Sequence, residues 1–156
     1  MITTQLDAPP AIAKLETLKK RLRTGVGEAV ESAAARLRAI VQAKLSGEVL
    51  KARSGALRDS IRAAMDADGT AARVFSDGSV PYARVQEYGG RVNVPAMAPV
   101  NAKALAFAYG GRMVFAKHAA AHVVSLPECS YLRSSLAEFA PVFLDDIRKV
   151  VTENLA

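Results

Sequence analysis

The chain has no tryptophan, one cysteine, four tyrosines and five phenylalanines in 156 residues. A single cysteine, Cys129, excludes an internal disulfide and fits a reducing compartment. Few aromatics mean a thin core. Much of the apolar content is alanine, which favours helix but fills little volume. Such a core implies a neighbour that completes it, and an oligomer is expected. Long apolar runs are also missing. The longest uncharged stretch, residues 92–102, holds Pro95, Pro99 and two asparagines, so no bilayer-spanning helix is expected. The N-terminus lacks a basic segment followed by an apolar one, so no secretory signal is expected either.

Catalytic and cofactor signatures are equally scarce. There is no G-x-S-x-G, no Walker A pattern and no G-x-G-x-x-G. His118 and His122 have the spacing of two zinc ligands on a helix. The run between them is Ala-Ala-Ala, without the glutamate of the zinc-protease pattern, and no third ligand is near in sequence. Glu87 has no second carboxylate or histidine placed to work with it. A role holding a loop, through backbone N–H groups or an arginine such as Arg53 or Arg58, is the expectation. No enzyme, metal or cofactor is therefore expected.

What is present is a globular composition, 51% hydrophobic and 23% charged, with a net charge of +6. That charge is unevenly spread. Residues 1–62 hold 12 Lys/Arg against 6 Asp/Glu, and the remainder holds 9 against 9. The basic excess is either a solvated helix face or a surface for DNA or an acidic neighbour.

Read in order, residues 1–9 suggest a flexible arm and residues 10–156 a single α+β domain. Over residues 10–45 apolar side chains recur every three or four positions, from Leu15 through Leu22, Val30 and Leu37 to Leu45. This predicts one long helix with an apolar face. Gly25 and Gly27 weaken its middle by about 1 kcal/mol each, which predicts a bend or a break. Ser46-Gly47 ends it. Ser54 is placed to cap a short helix carrying Leu57, Ile61 and Ala64, with Arg58 and Arg62 on its exposed edge. A strand follows at residues 71–76, then a short helix within residues 80–90 with Tyr82, Val85 and Tyr88 at three-residue spacing. Residues 91–101 read as an irregular interaction loop. Alternation around Gly110-Gly111 predicts a hairpin, and residues 121–126 a third strand. A last helix follows Pro127, kinked or split at Pro141.

Three segments stand out together. They are Arg53-Ser54-Gly55-Ala56-Leu57-Arg58-Asp59-Ser60-Ile61, Tyr82-Ala83-Arg84-Val85-Gln86-Glu87-Tyr88-Gly89, and Pro127-Glu128-Cys129-Ser130-Tyr131-Leu132-Arg133. In this order they resemble the HK97 gp10-like tail-completion proteins and the related Mu gpG-like virion morphogenesis proteins of tailed phages. The resemblance covers roughly residues 50 to 135 and is silent on the long helix. Cys129 replaces the usual arginine of the third motif. Gly89-Gly90 replaces the commoner Gly-Thr, a departure towards the Mu-like branch.

The resemblance implies a structural virion protein of the head-tail junction, a tail-completion or neck subunit of a phage or prophage. It would be assembled in the host bacterial cytoplasm as a ring, commonly of six copies. Its neighbours would be the head connector or stopper and the tail tube or terminator, with sequence-independent contact to DNA in the channel and no membrane partner. Tail terminator, head-closure (stopper) subunit and basic non-sequence-specific DNA-binding protein are the alternatives. Candidate partner contacts are Arg53, Arg58, Arg62, Tyr82, Glu87, Tyr88, Arg91, Tyr131 and Arg133.

Overall fold

The computed structural model describes residues 8–48 and 55–155, and the fold is α+β. Most of the expected N-terminal arm, together with Arg53 and Ser54, lies outside the described residues. The chain forms two compact units. The first combines residues 1–83 with 130–156, and the second is residues 84–129.

The first unit is built on helix α1 (Ala8–Ala43). Pro9 and Pro10 fall in its first turn, where a missing N–H is no loss. The helix is continuous through Gly25 and Gly27, so no break occurs. These glycines are instead points of close approach. A Cβ on Gly25 would lie 3.1 Å from Val150 and Asn154, and one on Gly27 would lie 3.0 Å from the Gly69 carbonyl oxygen. A π-helical turn, Lys44–Glu48, finishes the helix, and Gly47 leaves helical geometry at φ 139°.

Helix α2 is short, Ala56–Asp59, and follows Gly55 in a left-handed conformation. The expected helical continuation to Ile61 and Ala64 does not occur. Ser60 turns its hydroxyl onto the Leu57 carbonyl (2.8 Å). Residues from Ile61 to Met65 then form strand β1, antiparallel to β2 (Ala72–Ser76) with Ile61 opposite Ser76. Cross-strand pairing outweighs the helical spacing of Leu57, Ile61 and Ala64.

Helix α4 (Leu132–Leu155) runs alongside α1 and passes through Pro141 as one element. Arg36 ties the two helices. Its guanidinium meets Asp146 at 2.6 Å and lies 5.1 Å over the Phe139 ring. The buried core joins Val41, Leu45, Leu57, Ile61, Val80, Ala83 and Tyr131. Full burial of each large aliphatic side chain contributes about 1.5–3 kcal/mol.

The second unit holds most of helix α3 (Ala83–Tyr88) and two antiparallel strand pairs. Strand β3 (Gly90–Val94) pairs with β6 (His122–Leu126), and β4 (Leu105–Tyr109) pairs with β5 (Arg112–Ala116) as the expected hairpin. Part of the expected interaction loop is therefore strand. Val92 and Val94 alternate with Arg91 and Asn93, but the partner lies some thirty residues on. Gly89, in the left-handed region at φ 68°, packs against the end of β6. Just beyond it the Cys129 amide donates to the Gln86 carbonyl (2.9 Å). Cys129 is half-buried.

Candidate functional site

Arg58 and Arg62 do not share a helical edge, because the chain changes from α2 to β1 between them. Each is engaged locally. Arg58 Nε donates to Asp59 Oδ1 (2.8 Å), and that hydrogen bond and charge raise the guanidinium pKa further. Arg62 meets Asp77 at 3.1 Å and donates to the Asp59 carbonyl (2.5 Å). Asp77 also accepts from the Ser79 hydroxyl (2.6 Å) and N–H (3.0 Å). These bonds, the hydroxyl's first, hold its pKa below the ordinary carboxylate value, and Arg62 adds to the effect. This arginine pair therefore organises the β1–β2 end of its own unit.

Around α3 the sequence alternates between buried and open positions. Tyr82 and Tyr88 are exposed, and Arg84 precedes Tyr88 by one helical turn. Glu87 is only 2% exposed. No buried side-chain polar atom among the described residues lacks a hydrogen-bond partner, so this carboxylate is held rather than offered to solvent. Arg91 is exposed on β3, opposite Ser125. Tyr131 is a core residue, 1% exposed, and its hydroxyl donates to the Ala83 carbonyl (3.2 Å). Arg133, two residues on, is exposed at the start of α4.

Two features were not singled out from sequence. One is the face of the β4–β5 hairpin formed by Ala106, Ala108, Met113 and Phe115. The register puts Ala106 beside Phe115 and Ala108 beside Met113. All four are exposed, Phe115 to 70% and Met113 to 60%. The sequence carried the alternation but not the missing cover. The other feature is an apolar slot of about 660 Å³ in the first unit. Val30, Ala33 and Val41 of α1 form its floor. Residues 70–75 make one wall, and Leu136, Ala140 and Phe143 of α4 the other. Its signal lies in α4, whose apolar arc is wider than α1 alone can cover.

Among the described residues no cluster of three or more His, Cys, Asp or Glu could hold a metal ion, and no helix is long and apolar enough to cross a membrane.

No curated protein and no solved structure matches the chain. A family model does match, over residues 11–89, described as "Bacteriophage HK97-gp10, putative tail-component". The matched span runs from α1 to Gly89 and includes the first two motifs. It falls on the HK97 side rather than the Mu-like side towards which Gly89-Gly90 leaned. It also takes in the long helix, on which the motifs were silent. The chain belongs to the HK97-gp10-like family of phage tail components.

Proposed function

We propose that this protein is a structural subunit of the head-tail junction of a tailed phage or prophage, acting as a tail-completion or neck protein through assembly into a ring. The family match over residues 11–89 carries the reading. Two uncovered apolar surfaces support it: the hairpin face with Met113 and Phe115, and the start of α1 with Ile12 and Leu15 exposed. Different patches meeting head to tail make a heterologous contact, and such contacts close into rings when the rotation allows. Six copies is the expected number. The ring would sit between the head connector or stopper and the tail tube or terminator. Exposed Lys19, Lys20 and Arg21 on α1 would make only phosphate contacts with DNA passing through, without sequence preference. The virion neck is the proposed location, after assembly in the bacterial cytoplasm.

Light scattering across a concentration series tests this, first alone and then with the tail-tube or connector protein encoded beside it. A discrete ring, alone or induced by a partner, is the expected result. The partner that induces it separates tail completion from a terminator or stopper role. A lasting monomer that ignores both partners and holds duplex DNA at physiological salt overturns the reading. It would favour the second interpretation, a basic DNA-binding protein, which the charge excess of residues 1–62 supports.

A further inference from the structure

We propose that the opening turns of α1, residues 8–19, are a conditional helix: in the single subunit they exchange between helix and coil while the rest of the first unit stays folded. The inference goes beyond the assembly reading, because it concerns one copy of the chain and holds for any neighbour.

Three observations carry it. The first is the register of the two long helices. Lys44 meets Glu138, Arg36 meets Asp146 and Gly25 approaches Asn154, so α4 runs antiparallel to α1 and ends level with Gly25. Residues 8–19 lie past that point and extend for about 18 Å. From Pro10 to Thr17 every side chain is exposed, Ile12 to 54% and Leu15 to 64%. Arg23 meets Asp68 at 3.7 Å nearer the base, but both side chains are largely exposed, and a surface pair of this kind adds little.

The second is the weakness of the local terms. Isolated helices shorter than about 12–15 residues are marginal in water. No acid lies in the first turn to complement the helix dipole. Across residues 8–23 Glu16 stands alone against Lys14, Lys19, Lys20, Arg21 and Arg23. The Thr17 hydroxyl donates to the Ala13 carbonyl (2.9 Å), a back-bond that slightly destabilises helices.

The third is the glycine pair at the base. Gly25 and Gly27 sit too close to their neighbours for an easy side chain, yet glycine is the poorest helix former after proline. Helix propagating outward from the packed part must cross both, and unwinding from the free end stops there.

The consequence is a brake on association. Ala11, Leu15, Leu18 and Leu22, spaced by four, three and four, share one face only while the segment is helical. The coil withholds that face, and the affinity of any contact through it is reduced by the helical fraction.

Hydrogen exchange on the full chain tests this, at a dilution where light scattering reads the mass of one copy. Amides of residues 12–19, which have acceptors within the helix, should be protected by less than about tenfold, and those of residues 28–41 by at least about a hundredfold more. Thr17→Pro should leave the thermal midpoint within about 1 °C of the parent, whereas Ala35→Pro in the packed part of α1 should lower it by about 6 °C or more. Protection of residues 12–19 equal to that of residues 28–41 overturns the proposal. So does a midpoint for Thr17→Pro that falls as far as that of Ala35→Pro, or a ring that persists at every dilution with residues 12–19 protected. A ring built from single copies already protected there removes this proposal alone. Weak protection in a chain that never forms a ring removes the ring reading alone.

Discussion

Gly27 of α1 lies directly against the Gly69 carbonyl, so that a Cβ at Gly27 would stand 3.0 Å from that oxygen. The long helix and the β1–β2 turn touch here through backbone. Gly27→Ala sets a helix-propensity gain of about 1 kcal/mol against this crowding and should leave stability nearly unchanged. Gly27→Val adds bulk with nowhere to go and should cost about 1–3 kcal/mol. Urea unfolding of both variants checks the pair. Equal midpoints for the valine variant and the parent would refute the close approach.

Gly89 is a stricter case. It combines a left-handed backbone with a Cβ position 2.8 Å from the Glu128 nitrogen and 3.1 Å from the Leu126 oxygen. Gly89→Ala should lose roughly 1–2 kcal/mol from the backbone conformation alone. The overlap with β6 adds to this. Hydrogen exchange should locate the loss in residues 84–129, with α1 and α4 still protected.

Lys44 is buried, yet its ammonium is satisfied by Glu138 at 2.7 Å and Ser134 at 3.0 Å. Removing the acid leaves a charge in a poorly hydrated place. Glu138→Ala should therefore cost about 1–3 kcal/mol. Lys44→Met replaces the charge by a side chain of similar shape and should be close to neutral. A thermal melt that ranks the two the other way would contradict this account.

Asp77 gives the first unit a pH dependence of known sign. Its folded pKa is depressed, so its contribution is present above the unfolded carboxylate pKa. It is lost as pH falls through the folded value. Unfolding midpoints should drop between neutral and acid pH, and Asp77→Asn should reduce that drop. An unchanged acid limb in the variant would assign the dependence to other carboxylates.

The elements legible in the sequence were those whose pattern is local. The period of α1, the alternation around Gly110-Gly111 and the glycine stop after Tyr88 each lie within one window of chain. Strands β1 and β3 were missed for one reason. The residues from Ile61 to Met65 and from Gly90 to Val94 are extended because β2 and β6 lie beside them. The first of these strands follows a helical spacing and the second sits in a stretch whose prolines suggest a loop. The pairing of Arg62 with Asp77 is not legible in the sequence because fifteen positions separate them. The slot was invisible because it depends on how far apart α4 and β2 sit over α1.

The insertion of residues 84–129 into the first unit has a consequence for biogenesis. Arg36 and Asp146, which join α1 to α4, are separated by 110 positions. Synthesis runs from the N-terminus, so α1 emerges long before the helix that packs on it. Until then its apolar face has only β1 and β2 to lie against. The order of translation makes the first unit the last to close and gives it slow, non-local folding.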